Sequence, residues 1–161
     1  MDAYAVLLRA TEPAARRLAL VLCGADGDDA VQEAFVKGWS ALPRFRGDAP
    51  FRTWLLRIVA NEARNRRRSA SRRSARELRL VDVGVEASAE SAALAGERRR
   101  RLLDAVDALP VKLRDAVACR HLLELSEAET ATVLGLPAGT VKSRVSRGLE
   151  QLRQTMEVER D

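Results

Sequence analysis

Apolar residues recur along most of this chain at helical spacing. Val31, Phe35, Gly38 and Leu42 are separated by 4, 3 and 4 positions, which puts them on one face of a helix that Asp26 or Asp28 starts and Pro43 stops. Phe51, Trp54, Leu55 and Ile58 form a second stripe, on a helix that runs on into a block of arginines. Further along, Leu102, Val106 and Leu109 precede Pro110, and Leu113, Val117 and Leu122 follow it. Ser126-Glu127-Ala128-Glu129 fits a capping box, in which the serine hydroxyl and the glutamate carboxylate each satisfy a free backbone N–H. That helix should end at Gly135, with Pro137 opening the next. Residues 81 to 91 lack a helical period. They are rich in small residues and read as a linker, in which the alternation of Val81, Val83 and Val85 could form a short extended segment.

The 161 residues allow one ordinary domain or two small ones. All six aromatics (Tyr4, Phe35, Trp39, Phe45, Phe51, Trp54) lie in the first 54 residues, and the remainder must build its core from Leu, Val and Ala. Two cores of different composition predict an all-α chain of two small helical domains, 1–76 and 96–161, joined by a flexible linker over 77–95. An apolar content of 47% is enough for such cores. No apolar run approaches the ~20 residues of a membrane span, and no charged-then-apolar leader opens the chain, so the cytoplasm is expected. Two cysteines and one histidine supply neither a disulfide framework nor zinc-ligand spacing. No metal, cofactor or catalytic constellation is expected, and an enzyme is the least favoured class.

Between Glu127 and Leu152 the chain has the layout of a DNA-binding helix-turn-helix. Ala131 is small where two helices must approach, Gly135 suits the turn, and Val141, Val145, Leu149 and Leu152 fall within about 80° of one another on a helical wheel. The opposite face carries Thr140, Ser143, Ser146, Arg147 and, near its edge, Arg144, with Lys142 on the flank. Hydroxyls and guanidinium groups are what a recognition helix presents to base edges and phosphates in a major groove.

The net charge of +5 is unevenly spread: residues 1 to 75 hold 14 basic and 8 acidic groups, residues 96 to 161 hold 12 and 11. The excess centres on Arg64, Arg66, Arg67, Arg68, Arg72 and Arg73. Arg57, Asn61, Arg64 and Arg68 recur at 4, 3 and 4, so cations and an amide share one helical face, a surface suited to a nucleic-acid strand. Upstream, a loop between Pro43 and Pro50 holds Phe45, which either stacks on an unpaired base or plugs the core; spacing leaves both open. The run Arg98 to Arg101 points all round its helix and reads as a solvated helix start, and Cys23 and Cys119 read as inert core thiols.

A helix bearing Asp29-Ala30-Val31-Gln32-Glu33-Ala34-Phe35, then Phe45-Arg46-Gly47-Asp48, Phe51-Arg52-Thr53-Trp54-Leu55, a basic helix, a linker and Gly139-Thr140-Val141-Lys142-Ser143-Arg144 closely resembles the extracytoplasmic-function class of bacterial RNA polymerase sigma factors. The resemblance implies a protein that binds core polymerase, reads the minus-thirty-five promoter element as duplex and holds the melted minus-ten element as a single strand. It implies that Asp29, Gln32, Glu33, Val36 and Ser40 meet the clamp of the largest polymerase subunit. Phe45, Arg57, Asn61, Arg64, Asn65 and Arg68 would meet the minus-ten strand, with Asn65 standing where many relatives carry Asp. Thr140, Lys142, Ser143, Arg144, Ser146 and Arg147 would approach the minus-thirty-five element. An anti-sigma factor is a further expected partner. A stand-alone helix-turn-helix regulator would account for the C-terminal part equally well, but not for the order of the motifs before it.

Overall fold

The computed structural model describes residues 2–73 and 91–158, and every regular element among them is a helix. The extended segment expected at Val81 to Val85 lies outside the described residues. The first unit has three helices, α1 (Asp2–Cys23), α2 (Gly27–Ala41) and α3 (Phe51–Arg73). Single 3-10 turns, Gly24–Asp26 and Leu42–Arg44, bracket α2, so Pro43 does terminate that helix. Asp26 occupies its N-cap position but makes no side-chain capping bond.

The second unit begins with α4 (Ser91–Ala108), so helix is already present where the end of the linker was expected, and the Arg98 to Arg101 run lies inside this helix. It continues with α5 (Val111–Val117), which runs into a π turn at Ala118–Leu122, then α6 (Glu127–Leu134) and α7 (Ala138–Val158). Ala105, Val106, Leu109, Val117 and Leu152 form a small core of its own.

The larger core belongs to both units. Ala14, Ala15, Leu18, Ala19 and Leu22 of α1, Ala30, Val31 and Ala34 of α2, and Leu56, Val59, Ala60 and Ala63 of α3 pack in one cluster with Ala116, Cys119, Leu123, Leu125, Val133 and Leu134. Burying a leucine or valine side chain is worth about 1.5–3 kcal/mol. The many alanines let the helices approach closely. The first unit's core is thus shared with the second unit, which keeps a smaller core of its own. Tyr4, Trp39, Phe45, Phe51 and Trp54 pack on one another, whereas the seam between the units is built mainly from the Leu, Val and Ala that both halves share, so composition could not reveal it.

Candidate nucleic-acid and partner surfaces

Local signals set up the helix-turn-helix. The Ser126 hydroxyl accepts from the Glu129 N–H at 3.1 Å and the Glu129 carboxylate accepts from the Ser126 N–H at 2.8 Å, the reciprocal pair of a capping box. The Ser126 N–H, first, holds the Glu129 carboxyl below its usual range. The other oxygen of the same carboxylate accepts from the Thr53 hydroxyl of α3 at 3.4 Å, so this cap also touches the first unit. Gly135 ends α6 in the left-handed region (φ 64°), and the Leu136 N–H returns to the Ala131 carbonyl at 2.9 Å. The Pro137 carbonyl then accepts from Thr140 and Val141 as α7 begins.

On α7, Lys142, Ser143, Ser146 and Arg147 are exposed, and Thr140 and Arg144 are half-buried. The Ser143 hydroxyl donates back to the Thr140 carbonyl at 3.0 Å. Val141 and Leu152 are buried, but Leu149 is 42% exposed. Gly148 takes its place in the packing face. A methyl group there would sit 2.5 Å from a Val117 methyl, so glycine is what lets α7 cross α5 so closely. The sequence reading missed Gly148 because it looked for apolar side chains, and a residue chosen for having none leaves no such mark.

The arginines of α3 divide into different tasks. Arg57, Asn61, Asn65 and Arg68 are exposed on neighbouring sides of the helix, and Arg68 donates to the Asn65 side chain at 3.1 Å. Arg64, expected on the same DNA face, turns instead to the second unit: its guanidinium donates to the Leu134 carbonyl at 2.9 Å and lies 3.5 Å from the Asp115 carboxylate. Arg67 grips both oxygens of Asp115 at 3.1 and 3.2 Å and also donates to the Leu22 carbonyl at 2.9 Å. Each of these two arginines thus satisfies a carbonyl at the C-terminal end of a helix, α6 and α1, where a cation is favoured. Asp115 itself is only 3% exposed.

Arg66 points the other way, to α2. It pairs with Glu33 at 3.0 Å and lies 3.6 Å from Asp29, while Lys37 bridges Glu33 at 3.2 Å and Glu62 at 2.8 Å. Bonds from Lys37, then Arg66, hold the Glu33 carboxyl below its usual range. Asp29, Gln32, Glu33, Val36 and Ser40 all remain exposed on α2, Val36 to 68%. Trp39, three positions on from Val36 and 47% exposed, extends the same apolar patch. It was absent from the sequence-derived set, although its spacing from Val36 and its neighbour Ser40 would have placed it there.

Phe45 is half-buried in a chain of rings. Its centroid is 5.9 Å from Phe51 and 5.0 Å from Trp54, and Phe51 in turn meets Tyr4, whose ring touches Trp39. The Tyr4 hydroxyl donates to the Phe35 carbonyl at 2.8 Å. Of the two roles left open for Phe45, its packing contacts are those of a plug. Arg44, Arg46 and Asp48 around it are exposed. Among the described residues no His/Cys/Asp/Glu group could hold a metal, and no helix is long and apolar enough to cross a membrane.

Residues 7–73 match the family described as Sigma-70 region 2, and residues 99–152 match Sigma-70, region 4. A basic three-helix unit followed by a capped helix-turn-helix is thus the architecture of a sigma factor. The ECF RNA polymerase sigma-E factor of Escherichia coli K12 is 38% identical over 137 residues, spanning 79% of this chain and 72% of that protein. Its namesake in Haemophilus influenzae is 34% identical over 142 residues, spanning 82% and 75%. The chain belongs to the extracytoplasmic-function (ECF) sigma factors, transcription regulators that support promoter-specific initiation. In fold it is similar to the sigma factor RpoE of Bartonella quintana, solved with the anti-sigma factor NepR (TM-score 0.81, 23% identity, 98% of this chain and 99% of that one). It is also similar to CnrH, solved with the cytosolic domain of CnrY (TM-score 0.72, 26% identity, 98% and 89%).

Proposed function

We propose that this sigma factor binds core RNA polymerase through α2, reads the minus-thirty-five element as duplex through α7, and holds the melted minus-ten element as a single strand against α3. The observation that carries the minus-ten reading is the exposed stripe of Arg57, Asn61, Asn65 and Arg68, two amides set among cations on one side of a helix. Amides can hydrogen-bond the edge of an unpaired base, and cations track the backbone beside it. Extruding a base costs a few kcal/mol, which such contacts offset. For the upstream element, exposed Lys142, Ser143, Ser146 and Arg147 follow a turn fixed by Gly135, with Thr140 and Arg144 at the margin. Arg147 suits a guanine edge and Lys142 a phosphate. For polymerase, Val36 and Trp39 give α2 an apolar centre ringed by Asp29, Gln32, Glu33 and Ser40.

The chain does no bond chemistry in this reading; polymerase supplies it, and the protein acts in the cytoplasm where polymerase and chromosome meet. An anti-sigma factor is proposed as a further partner, supported by one fold relative having been solved with an anti-sigma factor. Permanganate footprinting tests the minus-ten assignment. Asn61→Ala should lower thymine reactivity in the melted region while leaving closed-complex binding nearly intact, and undiminished reactivity would overturn it.

A further inference from the structure

Lys37 and Glu62 belong neither to the stripe on α3 nor to the α2 residues assigned to polymerase, yet they join the two helices at the edge of that α2 set. A ladder of alternating charge crosses from one helix to the other: Asp29, Arg66, Glu33, Lys37 and Glu62. Asp29 is exposed at one end, whereas Glu62 closes the other and is only 8% exposed. The Lys37 ammonium sits between two carboxylates, 2.8 Å from Glu62 and 3.2 Å from Glu33, and bonds to Glu62, then Glu33, hold it above the usual lysine range. Burying a carboxylate is costly, and an ion pair with a half-exposed lysine returns little of that cost as stability. An apolar side chain at the same place would carry no such penalty, so stability does not account for a charge there.

Glu33 supplies another reason. Its oxygens are used separately: Oε1 accepts from Lys37, and Oε2 accepts from Arg66 at 3.0 Å. An ionised carboxylate has about four acceptor positions, so Glu33 still has room for a partner's donors. It stands three positions before Val36, on the face already assigned to polymerase. Without Glu62, the flexible lysine would fold over Glu33 alone, covering its open positions and cancelling its charge. With Glu62 present, the ladder's three carboxylates outweigh its two cations.

We propose that Glu62 is a positioning residue for polymerase docking: it draws Lys37 toward α3 and so keeps the Glu33 carboxylate fixed and open for a cationic group on the polymerase surface. This role rests on the reading of α2 as the polymerase surface. Glu62 itself is too buried to touch the partner and acts through Lys37. Side chains already held in the free protein lose less freedom on association, so the ladder favours binding without adding a contact.

Fluorescence titration of the full-length protein with purified core polymerase tests the role. Glu62→Gln, which keeps the shape and removes the charge, should weaken binding about fivefold. A double-mutant cycle separates positioning from a general loss of structure. Glu33→Gln should itself weaken binding, and in that background Glu62→Gln should cost nothing further, because the carboxylate it positions is gone. Equal losses from Glu62→Gln in both backgrounds, no loss in either, or wild-type affinity for Glu33→Gln would each overturn the role. Should Glu62→Gln lose helicity by circular dichroism, Glu62→Met fills the same buried place with an apolar chain and must give the same cycle. Gln32→Ala with Val36→Asp supplies the reference. If that pair keeps wild-type affinity, the polymerase surface lies elsewhere and the role falls with it. If the pair weakens binding while Glu62→Gln does not, the surface stands and only the positioning of Glu33 is overturned.

Discussion

Arg67 and Asp115, 48 positions apart, face each other as a planar guanidinium on a carboxylate, with both oxygens engaged at 3.1 and 3.2 Å. The contact joins the basic helix of the first unit to the buried face of the second. It also recasts the arginine block of α3. Its density first reads as a nucleic-acid surface, but Arg64 and Arg67 serve the seam between units, Arg66 serves α2, and Arg57 and Arg68 remain on the exposed side.

The capping box gives a stability prediction with a defined pH dependence. Ser126→Ala should cost about 1 kcal/mol in urea unfolding at pH 7. Because its bonds hold the Glu129 carboxyl below the ordinary range, that carboxylate's contribution is fully present above its unfolded pKa of about 4.3 and is lost as pH falls through the lower folded value. Glu129→Gln should therefore differ from wild type at neutral pH, with the gap closing in acid. An equal gap at pH 7 and pH 3 would contradict this.

At the crossing of α5 and α7, Gly148→Ala should destabilise the protein by about 1–3 kcal/mol, since the stiff Val117 side chain cannot swing away. Thermal melts by circular dichroism would detect it. A neutral effect would mean that the helices separate freely.

Both thiols should be unreactive in the folded protein. Burial pushes Cys119 up to about 12, and burial, with Asp26 adding to it, pushes Cys23 up to about 11. A colourimetric disulfide reagent at pH 7.5 should label neither quickly, and both once the chain is unfolded. Rapid labelling of the native protein would contradict the assignment of both as core thiols.

On α2, Gln32→Ala with Val36→Asp should weaken binding to core polymerase at least about tenfold in fluorescence titration, and Trp39→Ala should add to the loss. Helicity should be unchanged because all three side chains are exposed. Wild-type affinity would move the polymerase surface elsewhere.

Much of this organisation was legible in the sequence because it is local. The stop at Pro43, the Ser126–Glu129 box and the turn at Gly135 each depend on residues within four positions, and each stands where spacing put it. The seam did not depend on local pattern. Nothing in the periodicity of α3 distinguishes Arg64, which turns to Asp115, from Arg68 one turn further, which stays outside. The partner is chosen by the docking of two units. Similarly, Leu149 fits an apolar stripe on a wheel, yet the place nearest α5 belongs to Gly148, because contact there is limited by backbone approach.

The central claim is tested most directly by transcription in vitro with purified core polymerase. Addition of the wild-type protein should produce transcripts from a defined set of start points, and Ser143→Ala with Arg147→Ala should abolish those that depend on an upstream element. Tight binding to duplex DNA by the protein alone, with no promoter-specific transcripts when core polymerase is supplied, would contradict the account.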